Sequence, residues 1–255
     1  MSLNWRLGLV SCLILFLELL IIRLLGTEIR IFAYLGNVLL LAIFIGSGLG
    51  MYFKKPVLST ATTAVMLFFI TVFTTTTYIL RTPRFEVKLF SGISELLSPL
   101  SEAYIWQQLT SISKSGALFG LALTGLMLIL LAATFFPLGN LLGRLLSRHP
   151  RPLQAYSINI IASLVGMWLF QLFSVAELSP LLGLVIAIAG LIILAEDQLH
   201  RQLIIAALMA TIALTVPKIS HQPYEGAVTY WSPYQKLTLS TIKSPYNYQA
   251  GGYYL

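Results

Sequence analysis

Long apolar runs, separated by short polar connectors, make up most of this sequence. A membrane-spanning helix needs about 20 mostly apolar residues, because the hydrocarbon layer is about 30 Å thick and each helical residue rises about 1.5 Å. Charged residues are 10% of the 255 residues, whereas soluble domains carry about 25%. Backbone groups in lipid must bond within their own segment, which favours helices. We predict an all-α integral membrane protein of about seven transmembrane helices, at Leu7–Leu25, Ala33–Phe53, Val57–Leu80, Ala117–Leu138, Leu153–Ala176, Pro180–Ala195 and Gln202–Val216.

The longest connector differs in composition from the apolar runs. Residues 81–116 mix charged side chains with leucines, isoleucines and two phenylalanines. This spacing predicts one amphipathic helix over about residues 84–110, lying in the membrane interface. A solvated connecting loop is the alternative. Between the last two runs, residues 196–201 predict a polar turn.

The tail after residue 217 is rich in Tyr, Ser, Pro and Gln. Residues 228–230 are prone to form a strand, and Leu237–Ile242 alternates apolar and polar residues as a half-exposed strand does. We therefore predict a membrane domain over residues 1–217 and a C-terminal β-hairpin stub within residues 218–255. One or two strands do not form a stable domain in water on their own.

Charge and cysteine content limit the function classes. The net charge is +7, but the basic residues lie in the gaps between apolar runs, which indicates membrane topology and lipid headgroups rather than nucleic acid. Seven basic residues on one side of the predicted membrane against six on the other leave the orientation open. Cys12 is the single cysteine, so no intrachain disulfide is possible. The sequence contains no phosphate-binding loop, metal-binding motif or nucleophile motif, and we predict no catalytic residue and no metal site.

Two charged residues lie in the first apolar run. Ionisable residues in membrane helices usually face a bundle interior or a water-filled cavity. Glu18 and Arg23 are five residues apart, about 140° around a helix, so we expect each to find its partner on another helix. Glu18 fits a buried structural hydrogen bond or a role linked to protons or substrate. Arg23 fits an anchor reaching towards the headgroups or a functional group.

The fifth run carries amide side chains at Asn159 and Gln171. Asn159 shares a helix face with Ser163 and Gly166, and this pattern predicts interhelical hydrogen bonds. Small residues also recur four apart, at Gly46 and Gly50 and at three further pairs. Such faces let helix backbones approach closely and allow a helix-mediated homo-oligomer. These pairs are Gly116 with Gly120, Gly139 with Gly143, and Ala162 with Gly166.

Several segments together resemble a known family. The first is the stretch around Glu18 and Arg23 that continues into a glycine-rich second run; the others read FPLGNLLGRL and LQAYSINIIASLVGMWLF. They resemble the membrane region of spermidine synthase-like integral membrane proteins. The tail segment YWSPYQKLTLSTI resembles the β-hairpin that begins the family's aminopropyltransferase domain.

The resemblance implies a function that this chain serves in part. It implies a multi-pass protein of the bacterial inner (cell) membrane whose membrane module anchors an aminopropyltransferase domain absent from this chain. The family's donor is decarboxylated S-adenosylmethionine and its acceptor a polyamine. Gln235 would line the donor or amine pocket, with Tyr234 nearby, and this chain alone would be inactive. The alternatives are a small transporter of a cationic amine or lipid-like substrate through a polar cavity near Glu18 and Asn159, or a non-catalytic assembly subunit.

Overall fold

A computed structural model describes residues 2–29, 32, 36–80, 114–195, 197–220, 228–231, 236–241 and 253–254. The predicted interfacial helix over about residues 84–110 lies outside these ranges. The described residues form seven helices and three short strands. The helices are α1 (Leu3–Glu28), α2 (Gly36–Tyr52), α3 (Thr60–Leu80), α4 (Lys114–Arg148), α5 (Pro152–Val175), α6 (Pro180–Leu194) and α7 (Gln198–Ser220).

Three of these helices are long and apolar enough to cross a membrane. They comprise α1, the segment Ala122–Arg148 of α4, and α5. In the other four helices the apolar segments are shorter; they are Gly36–Tyr52, Thr60–Thr74, Pro180–Leu194 and Gln198–Leu214. The sequence predicted seven crossings; by length and composition the structure supports three. It therefore supports the coarser prediction of a helical membrane protein.

The helix boundaries differ most from prediction around Pro137. The fourth run was predicted to end at Leu138, but α4 continues through Pro137 to Arg148, which also moves Arg144 and Arg148 from a predicted loop into a helix. Proline removes one backbone hydrogen bond from a helix interior. The Thr63 hydroxyl of α3 donates to the neighbouring carbonyl of Thr134 at 3.0 Å. This bond joins α3 to the turn of α4 that precedes Pro137.

The polar turn between the last two helices is also shorter than predicted. It was expected over residues 196–201, but α6 ends at Leu194 and α7 already begins at Gln198. The backbone N–H of Arg201 donates to the carbonyl of Asp197 at 3.0 Å. The first turn of α7 therefore includes most of the residues assigned to the connector.

Close contacts fix the relative directions of the helices. On α1 and α5, Gly8 lies near Ala162, and Cys12 lies against Gly166, so these two helices run parallel. On α6, Gly183 faces Leu20 of α1. Since Gly190, further along α6, faces the earlier residue Leu13 of α1, α6 runs antiparallel to α1.

The same reasoning orients the remaining helices. Gly46 contacts Ala132, and Met51 contacts Gly143, so α2 and α4 run parallel to each other. The end of α4 returns to the start of α1, where His149 bonds Asn4. The beginnings of α3 and α7 line one cavity. The odd-numbered helices therefore start at one end of the bundle, which we call the N-terminal end, and the even-numbered helices finish there.

The three strands follow α7. Strand β1 (Val228–Trp231) pairs antiparallel with β2 (Lys236–Thr241), with Val228 opposite Leu239. Strand β3 (Tyr253–Tyr254) pairs antiparallel with the end of β2. A sheet of this size cannot bury a core alone. The contact of the sheet with the helices is therefore more informative than the sheet taken as an independent domain.

Candidate functional site

Glu18 lies inside the bundle on α1. Its side chain is 5% exposed, and the described residues offer it no hydrogen bond or ion pair. From Glu18 to the end of α1 at Glu28 is about 15 Å at 1.5 Å per residue, which is hydrocarbon depth in a bilayer. An ionised carboxylate there costs at least about 2.5 kcal/mol on insertion scales. The interhelical partner predicted for Glu18 is not found in the described part of the chain.

Arg23 occupies a different environment on the same helix. Its side chain is 7% exposed, and its guanidinium carbon lies 5.8 Å from the ring centroid of Trp231 in β1. A guanidinium at this distance over an indole ring makes a cation–π interaction. The sequence predicted a partner for Arg23 on another helix; the cation–π contact joins α1 to a strand. It places β1 at the end of the bundle opposite the N-terminal end.

Asn159 confirms the prediction of an interhelical hydrogen bond. The hydroxyl of Ser11 on α1 lies 2.7 Å from the Asn159 side-chain oxygen and 2.8 Å from the carbonyl of Leu7. One hydroxyl hydrogen serves both acceptors in turn or is shared between them. Ser11 itself is buried, at 1% exposure. Gly166, on the same face of α5, packs so closely that an added methyl group would overlap the Cys12 backbone.

The predicted polar residues do not form one cavity. Glu18 is seven residues beyond Ser11, about 10 Å along α1, so the Ser11–Asn159 bond and Glu18 are separate features. Gln171 is exposed near the end of α5, on a helix whose large apolar side chains also point outwards. Tyr234 and Gln235, the residues that the family resemblance assigned to a substrate pocket, lie outside the described residues.

Sequence reasoning missed Asn140, which closes the end of α2. It is completely buried, and its amide nitrogen lies 3.1 Å from the carbonyl of Gly50, 2.7 Å from that of Phe53 and 3.1 Å from that of Lys55. These carbonyls belong to the last turn of α2 and the connector after it, where backbone acceptors lack helical partners. Gly139 beside it marked a close helix contact, the signal that could have drawn attention to Asn140.

His149 is a second polar residue that the sequence did not reveal as a contact. It is 7% exposed. Its Nε2 lies 2.8 Å from the Asn4 side-chain oxygen, and the backbone N–H of Arg151 donates to its Nδ1 at 3.1 Å. The imidazole thus connects the end of α4, the start of α5 and the start of α1. Its partner Asn4 is 145 residues away in the chain, a separation at which no local pattern gives a signal.

The described residues limit the chemistry available. They contain no group of three or more His, Cys, Asp or Glu side chains that could hold a metal ion. What the geometry offers is a buried carboxyl without a described partner and a cation–π contact joining a membrane helix to a strand. Comparison with known protein families, with curated proteins and with solved structures finds no match.

Proposed function

We propose that this chain is the membrane-embedded module of a spermidine synthase-like protein and that it anchors an aminopropyltransferase domain through its C-terminal strands. The Arg23–Trp231 contact carries the proposal, because it ties the start of the strand region to the helix that the bundle surrounds. Trp231 directly precedes the segment, Ser232 to Gln235, in which the family resemblance is most specific. The seven apolar helices supply the anchor.

The proposal assigns the chemistry to residues outside this chain. The donor, decarboxylated S-adenosylmethionine, and the polyamine acceptor would meet in the attached domain, with Gln235 and Tyr234 at the edge of the pocket. We expect the source gene to encode, after Leu255, a glycine-rich strand–helix turn and paired aspartates. A stop codon directly after Leu255 in an intact gene would contradict the transferase assignment.

A topology map tests the anchor directly. Reporters fused after Phe53, Val175 and Thr241 probe the N-terminal end, the opposite end and the strand region, in that order. Because the donor is cytoplasmic, the proposal expects the reporters after Val175 and Thr241 to be cytoplasmic and the reporter after Phe53 to be outside. A Thr241 reporter outside the cell would exclude the transferase reading.

A second experiment tests whether Trp231 holds the strands against the bundle. Trp231→Ala removes the cation–π partner of Arg23, worth about 0.5–2 kcal/mol. We expect trypsin to cleave after Lys236 faster in this variant, by about twofold to thirtyfold if cleavage follows local opening. Trp168→Ala is the matched control, because Trp168 is 61% exposed on α5. Equal cleavage rates in the Trp231→Ala and Trp168→Ala proteins would contradict the proposal that the Arg23–Trp231 contact holds the strands against the bundle.

A transporter is the second candidate, and the burial of Glu18 without a described partner favours it. A buried carboxylate is a suitable binding group for a cationic amine, and a neutral one is suited to proton coupling. This proposal expects Glu18→Gln to abolish amine uptake into proteoliposomes while the protein remains folded. Unchanged uptake in the variant, or no uptake by the parent, would exclude it. A non-catalytic assembly subunit is the reading that predicts neither activity.

A further inference from the structure

A cavity at the N-terminal end of the bundle combines an apolar floor with a charged mouth. Its volume is about 320 Å³, within the range of small-ligand sites. The α2–α3 connector, α4 and the start of α7 form its walls. It lies at the other end of the bundle from Trp231 and therefore plays no part in the function proposed above.

The wall contributed by α4 changes from apolar to charged along one face. Pro137, Leu141 and Arg144 all line the cavity, and their spacing of four and three residues puts them on the same side of the helix. Arg144 lies about 10 Å further along α4 than Pro137 and about one turn before the helix ends at Arg148. In a bilayer, that depth is the boundary between hydrocarbon and headgroups.

The opposite wall is the α2–α3 connector with the start of α3. There Val57 and Leu58 are apolar, and Ser59 and Thr60 supply hydroxyl groups. The buried Asn140 holds this connector against α4 through the carbonyls of the connector and the end of α2. Asn140 thus fastens to α4 the connector that forms one wall of the cavity.

The mouth carries both signs of charge, with the positive sign in excess. Arg144, His200 and Asp197 line it, and the Asp197 carboxylate lies 3.3 Å from the His200 ring while remaining 71% exposed to solvent. Asp197 is the one carboxylate that the described residues place at this end of the bundle. The basic residues placed there are Arg6, Lys54, Lys55, Arg144, Arg148, Arg151 and Arg201.

We propose that this cavity binds an anionic phospholipid. The lipid phosphate would accept hydrogen bonds from the Arg144 guanidinium, the His200 ring and the Ser59 and Thr60 hydroxyls. The first carbons of an acyl chain would lie along Leu141 and Pro137. A free phosphate would meet the same donors, but it would leave the apolar floor uncovered, so the site fits a lipid better than an inorganic ion.

The test uses the full chain in nanodiscs, with thermal stabilisation by added lipid as the readout. We expect phosphatidylglycerol to stabilise the protein. The apparent affinity for phosphatidylcholine should be at least about tenfold lower, a ratio that one charge-assisted hydrogen bond accounts for. Arg144→Gln should lose about tenfold in apparent affinity for phosphatidylglycerol, and Arg144→Lys should retain most of it. Asp197→Asn should bind more tightly than the parent.

Arg148→Gln is the matched control, because Arg148 is exposed one turn further along the same helix and does not line the cavity. An affinity within twofold of the parent supports a defined site. Equal losses at Arg144 and Arg148 would show diffuse attraction to the membrane surface and overturn the proposal. Stabilisation by inorganic phosphate equal to that by phosphatidylglycerol would overturn the assignment to a lipid.

A second variant, placed outside the helices, tests the proposal even if the Arg144→Gln protein does not fold. Val57→Trp fills the cavity from the connector, where Val57 is 50% exposed. We expect it to fold and to lose the preference for phosphatidylglycerol over phosphatidylcholine. A folded Val57→Trp protein that keeps the full preference would place lipid binding elsewhere and overturn the proposal.

Discussion

Helices α1 and α5 are similar in sequence character and opposite in environment. Both are long, apolar and parallel, and they pack against each other through Gly8, Cys12 and Gly166. Yet 67% of the most apolar stretch of α1 is buried inside the protein, against 17% of that of α5. Helix α1 contacts α2, α4, α5 and α6, whereas α5 is held almost entirely by α1.

This difference explains where the polar residues lie. The central helix carries Glu18 and Arg23, both buried, since protein surrounds it on most sides. The peripheral helix turns its small and polar residues, Asn159 and Gly166, towards α1. Its outward face carries large apolar side chains such as Ile161 and Trp168, 62% and 61% exposed, which suit contact with lipid. In lipid, burial cannot be read from apolarity, because lipid tails are as apolar as a protein core.

The largest expected effect comes from separating the two helices. Gly166→Val places a branched side chain where even a methyl group would overlap the Cys12 backbone. Backbone atoms cannot move aside as a flexible side chain does. We therefore expect the free energy of unfolding to fall by about 3 kcal/mol or more, at or above the upper end of the usual range for overpacking. Thermal unfolding in detergent, followed by fluorescence-detected size exclusion, measures it.

Gly48→Val on α2 is the control for this prediction. Nothing lies within 4 Å of a methyl group placed at Gly48, so we expect a change in stability below about 0.5 kcal/mol, as at surface positions. Equal stabilities for the Gly166 and Gly48 variants would mean that α5 is not packed on α1 as described.

A matched pair of leucines compares the environments of the two helices directly. Leu17 on α1 is completely buried, and Leu164 on α5 is 49% exposed. Leu17→Ala leaves a cavity among packed side chains. We expect it to lower the free energy of unfolding by about 2–4 kcal/mol, in the range found for buried leucines. Leu164→Ala should lose less than about 0.5 kcal/mol, because lipid or detergent fills the space. Chemical denaturation in micelles gives both values.

Comparable losses at the two positions would contradict the peripheral placement of α5. They would indicate that another surface, such as a second copy of the chain, covers its outward face. Size exclusion with light scattering on the parent protein tests directly for that second copy.

The next effect tests the carboxyl on the central helix. Glu18→Leu removes a polar group that has no bonding partner among the described residues, and we expect it to raise stability by about 1–3 kcal/mol. Arg23→Leu should instead destabilise, since it removes the cation over Trp231. Parallel thermal melts check both signs. A Glu18→Leu protein less stable than the parent would reveal a bonding partner and favour the structural role of Glu18.

The sequence predicted most of the helical framework. Seven apolar runs became seven helices because run length and hydropathy are local properties. The small residues at Gly46, Gly50 and Gly166 were rightly assigned to close packing. The end of α4 was not predicted, because proline normally ends or kinks a helix and α4 instead continues through Pro137.

The candidate site was harder to predict than the framework. Asn159 was recognised as a hydrogen-bonding group, but its partner Ser11 is 148 residues away. The contacts of Asn140 and His149 depend equally on which helix ends meet. Such meetings are set by the order and tilt of helices in the bundle, which periodicity within one helix does not determine. For the same reason the cavity at the N-terminal end, formed by three separate segments, gave no local signal.

The smallest expected effect concerns the polar bond between the two helices. A double-mutant cycle with Ser11→Ala, Asn159→Ala and the double variant should give a coupling energy of about 0.6 kcal/mol and not more than about 1.7 kcal/mol, the range measured for hydrogen bonds between membrane helices. The value is modest because the Ser11 hydroxyl keeps its second acceptor, the carbonyl of Leu7, when Asn159 is lost. A coupling near zero would leave Gly166 and the aromatic contacts of Phe16 with Phe170 and Phe173 as the source of α1–α5 affinity. A coupling well above 1.7 kcal/mol would show instead that this one bond, rather than close backbone packing, holds the peripheral helix on the central one.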